Sequence, residues 1–571
     1  MSQSVSQLTP DGSSIWLPGI EACIAHHLPA NEVSSTLRLI DKTTSQLFSH
    51  HKTLRPSLSS PIHVFRERWG RPGAFRALSR KQRLQLLCLT AASGSVANLE
   101  VALANAGLDL RCELLEAAAA AGQLDMCKLL RARGCLWGGS LSAAAKAGHR
   151  HVCEWLLASD CPFHWNVVWS ACWGGREDLM QWLLTVLLGR PNDDVNGLCR
   201  SLLEAATKYL SLAALQRLWQ QLMAGLHGSE LQQQLEQFDE EDQGAILAAA
   251  AGSTTPDWQA KVEWLEGLGY PRIAMACVVA LWAGDGDAAV ARLQWLRGRG
   301  YPLEAAVVNA AIPVGNLAAL RFLVEQARVR PTANQFLVTE AARRGHLAVL
   351  QHLHASGLPV NARSVAEAAA RAGHLPLVTW TVEDLGVAPA DGAASLLDCA
   401  TASGNLELMT WLHGRDWALG PRAIPNGAAS GCEEVLEWLA ERGCPFPLDG
   451  GAYLGAARNG DLAMLRCLHR LGCPWGPPGK LLADCIRIVV SVAVLQCLLD
   501  LGCPEMDWDA AVKLAEDEAQ MEPRESHTAL LAWLGEQRRR RRSPGAQGAL
   551  LAAATNSSGR LALLLRRFFA L

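Results

Sequence analysis

Several short stretches of this chain hold residue types that do chemistry at defined spacings. Gly479-Lys480 is the glycine–lysine step of a phosphate-cradling loop, in which backbone N–H groups and an ammonium hold the phosphates. The rest of that loop is missing: Pro474 stands where its first glycine belongs, and Leu481 replaces the Ser or Thr that would hold magnesium. Asp285-Gly286-Asp287 pairs two carboxylates as a calcium loop does, without the ligands that should follow. Cysteines and histidines are plentiful, yet no paired Cys-x-x-Cys clusters at zinc spacing occur. A Gly-x-Ser-x-Gly elbow for a serine nucleophile is also lacking. His149, His346 and His374 share one phase, just after a glycine. That phase predicts a local role, bonding backbone groups across a turn, and not metal ligation. The expectation is a noncatalytic chain with no cofactor and no metal.

The elements that position these residues repeat. Ala-Ala-x-x-Gly-His/Asn/Asp-Leu recurs along the chain, as at Ala341–Leu347, Ala369–Leu375 and Ala456–Leu462, and is closed by Gly-Cys/Tyr-Pro. The marking glycines are Gly94, Gly122, Gly148 and Gly174, then Gly252, Gly284, Gly315, Gly345, Gly373, Gly404, Gly431 and Gly460. A period in the twenties to low thirties predicts a solenoid, each unit burying its apolar face against its neighbours. One unit reads as an alanine-rich helix (Val365–Arg371), a turn at Gly373 and a second helix from His374 through Leu375, Val378 and Trp380, ended by Gly386 and Pro389. An all-α solenoid of about 13–15 helix-turn-helix units follows. Trp155, Trp182, Trp264, Trp295, Trp411, Trp438 and Trp533 share the second-helix phase and are assigned to the core. Between Gly174 and Gly252 the pattern decays across an irregular stretch at 176–245, with a loop at Pro191–Gly197 and an acidic insertion ending in Phe238-Asp-Glu-Glu-Asp242.

Composition narrows the class. The 571 residues are 50% apolar and 19% charged, which fits a packed protein and not a disordered one. A net charge of −3 is read as excluding a general nucleic-acid binder. No basic and apolar leader opens the sequence and no apolar run is long enough to span a bilayer. Of the 18 cysteines, Cys135, Cys161, Cys444, Cys473 and Cys503 fall in one phase. Stacked helices lie about 8–10 Å apart, too far for a disulfide between neighbouring rungs. Free buried thiols in a reducing, intracellular compartment, cytoplasmic or nuclear, are expected.

The repeated phrase resembles an ankyrin repeat over roughly 86–535. The Thr-Pro-Leu-His opening of that family is absent and the periods are short, so the resemblance implies short loops in place of full β-turn fingers. Upstream, Trp16-Leu17-Pro18, Ile24, Leu28-Pro29, Val33 and Leu37-Arg38-Leu39 resemble an F-box. The domain reading is a tail at 1–13, this segment at 14–56, a helical linker at 57–85, the solenoid, and a basic run with a C-terminal helix at 536–571. The F-box resemblance implies docking of a Skp-type adaptor and cullin through Leu17, Pro18, Ile24, Leu28, Pro29, Val33 and Leu37. The departures are Ile40-Asp41-Lys42-Thr43-Thr44, where the family has a Cys and a Trp; the alternative is a helical cap on the first repeat. Arg538, Arg539, Arg540, Arg541 and Arg542 form an unbroken run that reads as a nuclear signal, an acidic-partner contact or a solvated linker. Leu561–Leu571 reads as a capping helix, the alternative being a peripheral membrane contact.

These readings converge on an interaction scaffold for a protein partner. Polar residues of the first helix and its turn, Lys146, Arg343, Arg344, Arg371 and Arg458, are the expected partner-facing set. With the F-box segment working, the chain becomes a ubiquitin-ligase substrate receptor; without it, residues 16–48 are a cap on a binding scaffold. The other classes are a structural or membrane-associated scaffold anchored at the C-terminus and an enzyme whose site would lie in the irregular stretch at 176–245. Oligomeric state is left open.

Overall fold

The computed structural model describes residues 25–542 apart from 27, 29, 41, 51, 190–196, 225–228, 333, 359, 390–394 and 522–524. The expected tail at 1–13, Leu17, Pro18, Ile24, Pro29, most of the loop at 191–197 and everything after Arg542 lie outside the described residues. The described chain is an all-helical repeat solenoid. Helix pairs run from Arg80–Ala92 with Val96–Ala106 to Trp508–Met521 with Glu525–Arg542, fifteen in all among the described residues. The one β-type contact there is an isolated bridge, Leu108 to Asp461. None of the described helices is long and apolar enough to cross a membrane.

Two compact units divide the chain, one of residues 1–75, 82–106 and 110–388, the other of 76–81, 107–109 and 389–571. In the first unit the first helices pack in a row: Cys112–Ala120, Ser140–Ala147, Asn166–Trp173, Leu198–Tyr209, Glu240–Ala251, Ala274–Ala280, Ala305–Val314, Gln335–Arg344 and Ala362–Ala372. Alanine permits this, because its small side chain lets neighbouring helices approach. Ala118, Ala119, Ala144, Ala145, Ala341 and Ala369 are fully buried. Each second helix packs behind its own first helix. The second unit continues the scheme from Leu396–Thr401 onward.

The turn explains the repeated phrase. Gly345 has φ +83°, and a Cβ there would lie 2.8 Å from the ring of His374 in the next repeat. Both the left-handed backbone and the close imidazole require glycine. The residue after the glycine has two roles. As Asn or Asp it caps the second helix: Asn316, Asn405 and Asp461 accept from Ala319, Leu408 and Met464 N–H groups at 2.9–3.1 Å. As His it reaches to the preceding repeat instead. His374 Nε2 is 3.0 Å from the Arg343 carbonyl, one of the last-turn carbonyls a helix leaves without an intrahelical partner. The expectation of a purely local bond is therefore corrected for His374 and for His346, which bonds the Pro313 backbone: each ties one repeat to the one before.

Two further expectations change. The acidic stretch at 239–242 is no insertion. Asp239 caps Glu240–Ala251 by accepting from Asp242 N–H at 2.9 Å, and the acids that follow fill a first turn where the helix dipole favours negative charge. The irregular region holds one long repeat, Leu198–Tyr209 with Leu212–Met223, plus an extra helix, Ser229–Glu236. The second-helix tryptophans are only half-buried, Trp380 and Trp438 excepted. Their edges meet neighbouring rings, as in Trp137–Trp155 and Trp219–Trp264, and arginines cover their outer faces, Arg415 over Trp411 at 3.8 Å and Arg442 over Trp438 at 3.9 Å.

Candidate functional site

Where several first helices carry alanine five residues and one residue before the turn glycine, as at Ala117 and Ala121, Ala143 and Ala147, and Ala368 and Ala372, Asn166–Trp173 carries Trp169 and Trp173. Val167, Val168, Ala171 and Cys172 of that helix are buried, and the i, i+4 spacing puts the two rings together on the opposite side. Their centroids are 5.2 Å apart, and both meet Tyr209 of the next first helix, at 6.2 and 6.3 Å. Beyond them opens a cleft of about 240 Å³. Ala245, Ala248 and Ala249 line it from Glu240–Ala251; Met275 and Trp282 stand on the far side. Trp173, Met275 and Trp282 are 44%, 51% and 58% exposed, an unusual outlay of large apolar surface to water.

Two ammonium groups lie among these rings. Lys146 Nζ is 2.9 Å from the Trp173 centroid. Lys208 Nζ lies 5.5 Å from the Tyr209 ring and 6.0 Å from that of Trp282. Neither has a carboxylate partner among the described residues, and burial pushes both below the usual lysine range. The nearby carboxylates are matched elsewhere: Arg200 bonds Glu204 at 2.8 Å and Asp242 at 2.7 Å. A second cleft of about 660 Å³ shares Trp282 and runs past Pro313 to Arg344.

Of the expected partner-facing residues, Arg344 lines the second cleft and Lys146 stands beside the first, over Trp173. Arg343 and Arg371 pair with Glu340 and Glu367 of their own helices, at 2.6 and 3.8 Å. Arg458 is exposed at the end of Gly451–Arg458 in the other unit. The sequence reading missed Trp169, Trp173, Tyr209 and Trp282. The signal was present: tryptophan at two positions where every other repeat has a smaller or a charged residue, often alanine.

In the N-terminal segment, Val33 and Leu37 are 2% and 3% exposed and form a small core with Phe48, with Leu28 half-buried against it. As adaptor contacts these two are corrected, since their side chains face inward. Asn31 pins the following loop, donating to the carbonyls of Arg55 and Leu58 and to Ser60 Oγ at 2.7–2.9 Å. Leu39, Ile40 and Leu47 are the exposed apolar residues here. The arginine run lies on the helix Glu525–Arg542, not in a linker. Arg541 stacks on Trp508 at 4.7 Å and pairs with Glu505, Arg538 pairs with Asp509 at 3.7 Å, and Arg540 pairs with Glu536.

The chemistry-bearing motifs turn out to be architectural. Asp285 caps Gly286–Gly298 by accepting from Ala288 N–H at 2.9 Å. Gly479-Lys480 opens Lys480–Arg487 with a left-handed glycine, φ +73°. Glu433, Glu437 and Cys467 converge as metal ligands can, but guanidinium groups already meet them: Arg470 lies 3.3 Å from Glu433 and 2.6 Å from Glu437, and Arg76 also pairs with Glu437. The five phase-matched cysteines are buried, and burial pushes the Cys503 thiol up to about 12.

No protein-family model matches this chain, and neither does any curated protein. Among solved structures, it is similar to the pentatricopeptide repeat protein PPR10 in complex with an 18-nt psaJ RNA element, at 12% identity and TM-score 0.26 over 93% of this chain and 100% of that one. A cysteine-substituted form of that complex gives 12% identity and TM-score 0.25 over 89% of each chain. PPR10 from maize gives 13% identity and TM-score 0.22 over 93% and 99%. The exclusion of nucleic acid as a partner is corrected here. A whole-chain charge of −3 averages over every face, so it excludes no class of partner.

Proposed function

We propose that this chain is a noncatalytic binding scaffold that holds a protein partner on the first-helix face of its repeats. One observation carries the reading: large apolar side chains stand exposed at a cleft, Met275 and Trp282 lining it and Trp173 against its Trp169 wall, beside two ammonium groups that have no carboxylate partner among the described residues. Interfaces concentrate their free energy in aromatic anchors of this kind. The two-helix unit and its glycine–histidine turn support reading the repeats as divergent ankyrin repeats. Buried thiols support a reducing, intracellular compartment. Affinity capture with the intact protein and with a Trp169→Ala, Trp282→Ala variant of unchanged melting temperature tests the proposal. Proteins retained by the first and lost by the second, with or without nuclease, are expected. Identical capture by both would remove the cleft from the function.

A second element concerns the N-terminal segment. Exposed Leu39, Ile40 and Leu47 on a folded segment favour docking of a Skp-type adaptor, which would make the scaffold a ubiquitin-ligase substrate receptor. Co-purification of adaptor and cullin, abolished by Leu39→Asp with Leu47→Asp, is the expected result.

A further inference from the structure

The charge and shape of the cleft vary along the row of first helices, and that variation selects a ligand class. The cations lie at one end, Lys146 on Ser140–Ala147 and Lys208 on Leu198–Tyr209. The next three first helices, Glu240–Ala251, Ala274–Ala280 and Ala305–Val314, contain neither Lys nor Arg. Arg344 reappears only beyond them. Those three helices instead present alanine, valine and methionine, with Trp282 above. A polynucleotide needs cations along its whole path, because each nucleotide adds a phosphate. This site changes from cationic to apolar within two helices. The space of about 240 Å³ suits one large side chain, set between Trp169 and Tyr209 on one side and Met275 and Trp282 on the other.

We infer that the cleft receives an extended peptide segment in which acidic residues adjoin a large apolar one. Its carboxylates lie on Lys146 and Lys208, and its apolar side chain rests on Ala245, Ala248 and Ala249 against Trp282. This rests on the reading of the chain as a protein-binding scaffold and names the partner's local chemistry. Among the described residues each ammonium has ring faces for neighbours and pairs with no carboxylate, so an incoming anion completes a pair without breaking an existing one. The adjoining Glu204 and Asp242 do not compete, since Arg200 holds both.

The test is selection of a random dodecapeptide display library on the full chain, followed by fluorescence anisotropy of the synthesised winners. Three variants serve as controls: Lys146→Glu, Lys208→Glu and Trp282→Ala, each checked by its melting curve. Enrichment of Asp or Glu beside Leu, Met, Phe or Trp is expected. Binding should weaken about tenfold or more in each lysine reversal and in Trp282→Ala, the scale of a lost close charge pair or an aromatic anchor. Winners that are neutral or basic, bind the lysine reversals undiminished and still require Trp282 would overturn the inference while leaving the scaffold reading intact. Absence of any winner that depends on Trp282 would remove the cleft from both. Displacement of the winners by oligouridylate that binds more tightly would identify a polynucleotide platform and overturn the peptide assignment.

Discussion

Lys261 offers the sharpest test of how the irregular repeat is held. Its side chain is fully buried. The ammonium donates to the Thr207 carbonyl and Ser253 Oγ at 2.9 Å, to Thr255 Oγ1 at 2.6 Å and to the Leu210 carbonyl, with Asp257 3.6 Å away. Thr207 and Leu210 lie where Leu198–Tyr209 ends, in a repeat without the glycine turn, so Lys261 does there what glycine and imidazole do elsewhere. Lys261→Met strands both carbonyls in the interior. At about 1–3 kcal/mol for each unsatisfied group, offset in part by no longer burying a charge, the net loss is about 2–4 kcal/mol at pH 7. The pH dependence is more specific. Burial lowers the Lys261 pKa from 10.5 to about 8. The unfolded chain therefore binds more protons than the folded one between those values, and this contribution to stability rises with pH across that window and is flat below it. The rise is at most about 3 kcal/mol. Urea midpoints by tryptophan fluorescence at pH 7, 8, 9 and 10 would show a gain with pH in the wild type that is missing from Lys261→Met. Parallel pH profiles, or a variant as stable as the wild type at pH 7, would refute the assignment.

Other consequences follow from the turn and the core. Gly345→Ala forces a Cβ into a left-handed backbone and against His374, and should cost about 2–3 kcal/mol, visible in the thermal midpoint. His346 has its pKa lowered by burial. Because the unfolded state then binds the proton more readily, stability falls as pH drops through the ordinary imidazole value, and His346→Gln should flatten the drop in Tm between pH 7 and 5. Cys172 and Cys503, pushed up to about 12 by burial, should resist iodoacetamide at pH 8 in the native chain and react fully in urea; modification of native Cys503 would contradict its packing.

Much of the architecture was legible because repetition amplifies weak signals. A single Gly-His-Leu says little; the same phrase recurring near thirty residues places the turns, the helix pairs and the alanine row. Legibility failed where a residue acts across repeats. The imidazole of His374 and the carbonyl of Arg343 are 31 residues apart, and no local pattern couples them. Lys261 and Thr207, 54 apart, are harder still, because the repeat they join has lost its phase. Trp169 and Trp173 lie outside the recurrent Trp-Leu phase, so the repeat pattern does not mark them; they stand out only as departures from it. Val33 and Leu37 show the converse: an apolar motif on paper does not say which residues face inward, and here the hidden ones belonged to the motif.

The closing of helix ends between repeats also has a direction. His374 completes the helix ending at Arg343, Lys261 the one ending at Tyr209, and Arg292 donates to the Ala251 and Ser253 carbonyls at 2.7 and 2.8 Å. In each case the donor comes from the following repeat, never the preceding one. Other bonds run forward: Arg200 donates to Asp242 and Leu212 N–H to Asp257, each at 2.7 Å, so the junction between these repeats is held from both sides. What comes only from the following repeat in these three cases is the closing of a helix end. A shortened array that loses that neighbour opens last-turn carbonyls to water at its new terminus, and the final helix there needs a cap of its own.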